Sequence, residues 1–459
     1  MMTAGRSGIA SLAVLAITAV SPGARTVTAA GSPWSPAARM VQPHQAAIAT
    51  LLTNGKVLVV GSFPQNDTGA ELYDPAADKW SPTGPMIVPR ALGTATLLPS
   101  GKVLIAGGIT PDTGHSTTRT ELYDPAANSW FPGESMAVQR SSHTAILLLS
   151  GKVLVAGGQN ASGYIATAEL YDPVSNHWTM AAPMEAGYAG PRATLLANGT
   201  VLLAGGATLG DGRAELYDPA TNRWSNAGIA ARNTETLTRL ADGRVLITGQ
   251  GKEAQLYDPA TNHWSVSAAM LQDRVGPSAT RLADGRVLVA GGSTTTGGQQ
   301  VWLTSAEIYD PAANRWSPAS CMAQARWEQT ATLLSTRVLI AGGSVPPAAL
   351  SSAEMFDPGS ESAGQLIDFC PTASAGQSAV DTPSPAASTT VATPSAASTA
   401  NTQASVRPAG ELVRLTGIPG VGSLTISRVT AVGIVAGALL LLALAVAFYL
   451  WARSRRRGI

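Results

Sequence analysis

The chain has 459 residues, of which 30 are Lys or Arg and 29 are Asp or Glu, so its formal net charge is +1. Basic residues do not cluster outside residues 453–459, which argues against a surface that neutralises nucleic-acid phosphates. Charged residues are only 13% of the chain, and 47 Gly and 30 Pro are present. This composition favours a turn-rich β protein and excludes a mainly helical one.

The first 30 residues have the pattern of a secretory signal peptide. Arg6 precedes an apolar run from Ile9 to Val20, and small residues follow up to Ala30. The apolar run is too short to span a bilayer, so we expect cleavage after Ala29 or Ala30 and export of the mature chain.

Residues 31–370 repeat one unit with a period of about 50 residues. One block reads Glu-Leu-Tyr-Asp-Pro followed by Trp, as in 71–80, and recurs in 121–130, 169–178, 215–224, 255–264 and 307–316, with a decayed copy from Glu354. A second block upstream reads Gly-Lys-Val-Leu-Val, as in 55–59, and also occurs seven times. Seven pairs of blocks predict seven structural units.

Each unit is predicted to contain four short strands. The first and second strands meet at dipeptides such as Asn54-Gly55, which supply the positive φ angles of a tight hairpin. The third and fourth meet at Asp-Pro-x-x-Asn, for example 124–128, where Asp opens a turn and Pro presets φ. The recurring Tyr and Trp are expected to pack neighbouring units together.

Two cysteines are too few for a disulfide framework or a four-thiolate zinc site. Cys321 follows the Trp of the sixth unit, and Cys370 occupies a similar place after the seventh. In an exported protein a disulfide between them is favoured, and two free thiols are the alternative.

The carboxyl-terminal part has the pattern of a tethered surface protein. Residues 371–428 begin with a stretch of mostly Ser, Thr, Ala and Pro, typical of a disordered stalk, although 406–428 are more apolar. Residues 429–452 carry no charge and would span a bilayer as one helix, with the basic residues 453–459 in the cytoplasm. Gly433 and Gly437 would allow weak pairing of two such helices.

The two repeated blocks resemble the kelch motif. The resemblance covers 31–370 and implies an all-β fold, a seven-bladed β-propeller with a central channel. The last unit lacks its Trp, whereas Trp34 and Met40 have the same spacing as Trp80 and Met86, and the spacing recurs in 130–136 and 316–322. We therefore expect the amino-terminal segment to supply the outer strand of the last blade and close the ring.

One face of such a propeller carries the variable loops and the links into each first strand. Candidate ligand-binding residues on this face are Arg90, Arg140, Arg192, Arg232, Arg274, Arg326, His44, Tyr164 and Trp302. Guanidiniums around a channel mouth would bind a carboxylate, sulfate or acidic peptide, and the kelch adaptors of ubiquitin ligases are similar in this respect. Alternatively, each Arg pairs with a Glu or carbonyl of a neighbouring blade as scaffold.

The repeats are also similar to the propeller of galactose oxidase and its relatives, which are secreted copper enzymes. That resemblance would require two Tyr, two His and a Cys cross-linked to Tyr, whereas the five His here are scattered and no second catalytic domain follows. We therefore expect no catalytic residue, metal or cofactor. The sequence favours a cell-surface module that binds a glycan or protein. A galactose-oxidase-like enzyme and a non-catalytic envelope protein are the alternatives.

Overall fold

The structure, a computed structural model, describes residues 32–61, 69–206, 212–230, 234–360, 370 and 372–374, together with two strands between residues 412 and 427. The predicted signal peptide (1–30), transmembrane helix (429–452) and basic tail (453–459) lie outside these residues, as do Arg232, Gly433 and Gly437. Within the described part of the chain, no helix has the length and apolarity needed to cross a bilayer. The chain divides into two compact units, Met1–Pro383 and Ser384–Ile459.

The first unit is built from four-stranded antiparallel sheets that follow one another along the chain, numbered here sheet 1 to sheet 7. An amino-terminal strand precedes them, β1 (Trp34–Ala37). Sheet 1 contains β2 (Ile48–Leu51), β3 (Val57–Val60), β4 (Ala70–Asp74) and β5 (Lys79–Pro82). Sheet 2 contains β6 (Thr94–Leu97), β7 (Val103–Ala106), β10 (Thr120–Asp124) and β11 (Ser129–Pro132), with β8 (Ile109–Thr110) and β9 (His115–Ser116) as a small hairpin between its middle strands.

The next sheets repeat this order. Sheet 3 contains β12 (Thr144–Leu147), β13 (Val153–Ala156), β16 (Ala168–Asp172) and β17 (His177–Met180), with the small hairpin β14 (Gln159–Asn160) and β15 (Gly163–Tyr164). Sheet 4 contains β18 (Arg192–Leu195), β19 (Val201–Ala204), β20 (Arg213–Asp218) and β21 (Arg223–Ile229). Sheet 5 contains β22 (Thr236–Arg239), β23 (Val245–Thr248), β24 (Ala254–Asp258) and β25 (His263–Val266).

The last two sheets carry additional elements. Sheet 6 contains β26 (Ser278–Arg281), β27 (Val287–Ala290), β30 (Ser305–Asp310) and β31 (Arg315–Cys321), with the hairpin β28 (Ser293–Thr296) and β29 (Gln299–Leu303). Sheet 7 contains β32 (Thr330–Leu334), β33 (Arg337–Ala341) and β36 (Ala353–Phe356), with the small hairpin β34 (Ser344–Val345) and β35 (Ala348–Ala349). A 3-10 turn (Pro358–Ser360) follows, and then β37 (Thr372–Ser374).

The amino-terminal strand β1 completes sheet 7. It pairs antiparallel with β36, placing Trp34 opposite Phe356 with ring centroids 4.8 Å apart, and Trp34 Nε1 donates to Ala319 O in sheet 6 at 3.0 Å. The inner strands contact one another in chain order, and β32 contacts β2. The sheets therefore form a closed kelch-type propeller, in which the half-buried inner strands line a central channel.

The repeated motif explains the geometry of each outer hairpin. In sheet 2, Asp124 Oδ1 accepts the amide of Ala126 at 3.0 Å, and Asn128 adopts a φ of 48°. Tyr123 Oη donates to Asn128 Oδ1 at 2.8 Å, and its ring lies 4.9 Å from that of Trp130 on the paired strand. The repeated Tyr and Trp thus pack against each other within a blade. Trp130 Nε1 also donates to Gly84 O of the preceding link, so that the motif joins neighbouring blades as expected.

Two segments beyond residue 370 differ from the expectation of an unstructured stalk. β37 pairs antiparallel with β29 and adds a third strand to the β28–β29 hairpin. In the second unit, β38 (Leu412–Leu415) and β39 (Leu424–Ser427) form a two-stranded antiparallel hairpin. The strands β38 and β39 contain Leu, Val and Ile, which favour extended structure.

Candidate functional site: the loop-face mouth of the channel

Four of the six candidate arginines are buried and are not available to a ligand. Arg90, Arg140, Arg274 and Arg326 are at most 1% exposed. Their guanidiniums pair with glutamates of the third strand of the same sheet, in the pairs Arg90–Glu121, Arg140–Glu169, Arg274–Glu307 and Arg326–Glu354. The sequence predicted a ligand-binding role for these four arginines, whereas the structure places them in the alternative, scaffold arrangement, with the partner in the same blade.

These Arg–Glu pairs are completed by backbone groups. In sheet 3, Arg140 Nη1 donates to Gly157 O at 2.8 Å and Thr167 O at 3.0 Å, and Glu169 accepts the amides of Ala137 and Val138. Each pair therefore ties the incoming link, the loop after the second strand and the third strand together. A buried ion pair with most of its hydrogen bonds satisfied is a structural element, because any ligand would have to displace both charges.

The equivalent position in sheets 1 and 4 carries a different residue. His44 is 2% exposed, with Nδ1 2.9 Å from Gly61 O and Nε2 3.1 Å from Glu71 Oε1. In sheet 4 the position belongs to Tyr188, whose Oη donates to Glu215 Oε1 at 2.8 Å. His44 is thus part of the scaffold, and Arg192 is not a member of the arginine set, because it lies four residues further on and begins β18.

The two aromatic candidates have opposite environments. Tyr164 lies on β15 and is 46% exposed on the loop face. Trp302 is 4% exposed and packs with Ala325, Val345 and Ala373, so its ring does not form the exposed aromatic surface expected from the sequence. The strand β37, which carries Ala373, could not be anticipated from a Ser- and Ala-rich sequence.

Cys321 and Cys370 are joined by a disulfide with an S–S distance of 2.02 Å. Cys321 ends the outer strand β31 of sheet 6, on the loop face. The bond holds Cys370 there, and β37 begins two residues later. The segment after sheet 7 is therefore attached to the loop face through sheet 6.

Polar residues from several sheets meet where the inner strands begin. We name Gln45, Arg192, Glu235, Trp327 and Glu328 the mouth cluster. Arg192 is exposed, and its Nε donates to Glu235 O at 2.9 Å. Gln45 Nε2 lies 3.5 Å from Glu328 Oε2, across the seam between sheets 1 and 7. These residues come from four different blades, and among them only Arg192 was a candidate from the sequence.

Both carboxyl groups of the mouth cluster have raised pKa values. Burial raises the pKa of Glu235 above its ordinary value, although the Arg192 charge, the Gly276 amide and Gln250 act in the opposite direction. Burial also raises the pKa of Glu328, and the neighbouring Glu235 contributes to the increase, against the effects of Gln45 and Arg192. Desolvated carboxyls that lack a full ionic partner are costly, and such groups concentrate at functional sites.

Trp327 supplies an aromatic ring beside these carboxyls. It is half-buried and packs over Gly276 of sheet 6, where an added Cβ would lie 2.2 Å from Trp327 Nε1. Gly276 also has a φ of +66°, so two constraints favour glycine there. The mouth cluster departs from the repeat, because the other links carry neither an acidic residue nor a Trp at these places. That departure is the signal that sequence reasoning missed.

Comparison with known proteins supports the fold. Models described as the Kelch motif match residues 90–137, 140–185 and 277–323. Among solved structures, a fungal alcohol oxidase of the AA5 family in complex with copper is 19% identical, with a TM-score of 0.60, over 71% of this chain and 76% of that chain. YjhT is 15% identical, with a TM-score of 0.47, over 69% of this chain and 95% of that chain. No curated protein matches the sequence.

The described residues do not fit a copper centre of the galactose-oxidase type. Within them, no three His, Cys, Asp or Glu side chains are grouped to hold a metal ion. Both cysteines of the chain are in the disulfide, which leaves no thiol for a cross-link to Tyr. His143 is buried beside Arg140, and burial, aided by that charge, lowers its pKa to about 3.

The motif matches, the repeated hydrogen-bonded hairpins and the ring of antiparallel sheets lead to one assignment. The chain contains kelch motifs and folds as a kelch-type β-propeller.

Proposed function

We propose that this protein is a cell-surface binding module, a seven-bladed propeller that recognises a glycan through the mouth cluster. The observation that carries the proposal is the pair of desolvated carboxyls, Glu235 and Glu328, beside Arg192 and Trp327. Unlike the Arg–Glu pairs, these groups do not connect the strands of a sheet.

The chemistry of the mouth cluster suits a polyhydroxylated ligand. Carboxylates accept hydrogen bonds from sugar hydroxyls, and a guanidinium and amides donate to them. The half-buried Trp327 ring would offer an apolar face for the C–H groups of a sugar. A concave site with a few convergent polar groups and an aromatic wall is typical of small-ligand recognition.

The test is a glycan array probed with the full-length chain and three variants. We expect Glu235→Gln and Glu328→Gln each to weaken binding of the selected glycan by at least about tenfold, because a charge-assisted hydrogen bond contributes roughly 1.5–3 kcal/mol. Glu253→Gln, an exposed glutamate on a neighbouring loop, is the matched control and should bind normally. Equal binding by all variants, or no glycan bound by the wild type, would contradict the proposal.

The AA5-like fold makes an oxidase the second candidate. Elemental analysis of the protein after copper loading and dialysis distinguishes an oxidase from a glycan-binding module. Stoichiometric, tightly held copper together with oxidation of an alcohol would favour the enzyme over the binding module.

We further propose that the propeller is tethered outside the membrane by the predicted helix at 429–452. The predicted signal peptide and basic tail support this orientation. Protease treatment of intact cells should then release the propeller, whereas a chain retained inside the cell would stay uncut.

A further inference from the structure

The hairpin end of the channel carries two arginines that interrupt a ring of leucines. The fourth residue of the inner strand is leucine in five sheets, namely Leu51, Leu97, Leu147, Leu195 and Leu333. In sheets 5 and 6 it is Arg239 and Arg281, and these two inner strands are neighbours in the ring. We name them the arginine pair. They lie at the opposite end of the channel from the mouth cluster.

The leucines show where the arginine side chains go. Leu97, Leu147 and Leu195 pack against the core that their sheet shares with the preceding one. Arg239 occupies the corresponding interface, since its Nη1 donates to Leu195 O of sheet 4 at 3.3 Å. Its Nε is buried without a hydrogen-bond partner among the described residues. Arg281 is exposed at the same level.

The arginine pair differs electrostatically from the arginines around it. Arg244 and Arg286, in the hairpins that follow, pair with Asp242 and Asp284. The Arg–Glu pairs neutralise the buried guanidiniums. Within the described residues, neither Arg239 nor Arg281 forms an ion pair.

We propose that Arg239 and Arg281 form an oxyanion-binding site at the hairpin end of the channel. A phosphate, sulfate or carboxylate group would supply the missing negative charge and would accept hydrogen bonds from the guanidinium groups. This site is separate from the glycan site proposed above and does not depend on it.

Titration calorimetry of the full-length chain with phosphate, sulfate and hexanoate, at constant ionic strength in chloride, tests the proposal. We expect saturable binding of at least one of these anions. The anion that binds most tightly indicates the class of the natural ligand. Hexanoate should bind best if that ligand has an aliphatic body, which the surrounding leucines would contact. Arg239→Leu and Arg281→Leu should each weaken binding at least about tenfold, corresponding to roughly 1.4 kcal/mol.

The variants introduce the residue that five sheets already carry, so the fold is expected to tolerate them. Arg281→Lys keeps the charge and removes the fork, so its affinity should fall between those of the wild type and Arg281→Leu. One control locates the site: the double variant Arg223→Ser with Arg315→Ser on outer strands, which removes two exposed charges. Its affinity should equal that of the wild type.

Three results would overturn the proposal. They are no saturable binding by the wild type, unchanged affinity in both leucine variants, and an equal loss of affinity in the outer-strand double variant. The last result would show that the anion responds only to net charge.

Discussion

A single residue type has different roles at different positions of this propeller. Arg140 is buried against Glu169 and two carbonyls, whereas Arg192 is exposed beside two carboxyl groups of other sheets. The groups that surround each guanidinium therefore determine whether the arginine is structural or available to a ligand. Glu169 is the first residue of a Glu-Leu-Tyr-Asp block, and the spacing to Arg140 places both inside one sheet.

Breaking one Arg–Glu pair should destabilise the whole domain. In Arg140→Leu, the buried Glu169 loses its counter-charge, and we expect the free energy of unfolding to fall by about 3–5 kcal/mol. Arg140→Tyr should lose less, because Tyr188 already bonds to Glu215 in the equivalent place of sheet 4. Urea unfolding measures both. Equal stabilities of the two variants would show that the pairing to glutamate contributes little.

The mouth cluster should make stability depend on pH. The folded state raises the pKa of Glu235 and Glu328, so it binds protons more readily than the unfolded chain. The associated stability is present below the unfolded pKa and is lost as pH rises through the folded pKa.

Glu235→Gln and Glu328→Gln should therefore be more stable than the wild type at neutral pH, with the difference decreasing as pH falls towards the usual glutamate range. Thermal unfolding between pH 4 and pH 8 checks this. Glu253→Gln, whose side chain is exposed, is the control. A difference that grows on acidification would contradict the expected sign.

Residue roles were the hardest feature to obtain from the sequence. The repeat showed where the arginines recur but not whether they point inward, and Arg192 was assigned to a position that Tyr188 occupies. Gln45 and Glu328 are 283 residues apart, so no local pattern could bring them together. Only ring closure places them side by side.

At the scale of elements, local signals were sufficient where the pairing is local. The Asn-Gly, Ser-Gly and Asp-Gly turns and the Asp-Pro turns predicted the hairpins of sheets 1 to 6, because turn geometry and φ requirements reside in four or five consecutive residues. β37 was not predicted. It pairs with β29, about 70 residues earlier, and its sequence has weak strand preference.

The disulfide and β37 should act as one element. In Cys321→Ser with Cys370→Ser, the 49-residue loop is no longer closed, and the chain-entropy relation gives a loss of about 4 kcal/mol. β37 should then detach and expose Trp302. Red-shifted tryptophan fluorescence and faster proteolysis after residue 360 would report this. The same two Cys→Ser substitutions made together with Trp302→Phe are the control. The fluorescence shift should disappear in that variant, because Trp302 is its expected source.

At the scale of the whole molecule, β1 is the element that closes the ring. The Trp-to-Met spacing of residues 34–40 predicted this strand, because the outer strands of sheets 1, 2, 3, 5 and 6 carry the same spacing. The prediction succeeded because the last sheet follows the same repeat as the others. Its outer strand, β1, comes from the amino-terminal end of the domain, and its other three strands come from the carboxyl-terminal end.

Trp34→Ala tests closure against an internal control. The variant loses the contact with Phe356 and the hydrogen bond to Ala319 O, at a cost of about 3–5 kcal/mol. Trp80→Ala removes the equivalent ring in sheet 1, where the chain remains continuous. Only Trp34→Ala should expose the β36 edge and promote association, measured by light scattering at increasing concentration. Association of both variants to the same extent would show that ring opening is not the cause.

The disulfide also determines how the propeller would respond to mechanical force. Tension applied through the segment after residue 370 passes directly across the sulfur–sulfur bond to Cys321 at the end of β31. Sheet 7 and its seam with β1 lie within the loop that this bond closes, outside the load path. The junction between β1 and β36, which is held by non-covalent contacts, is therefore shielded from pulling, and the load enters through the outer strand β31 of sheet 6.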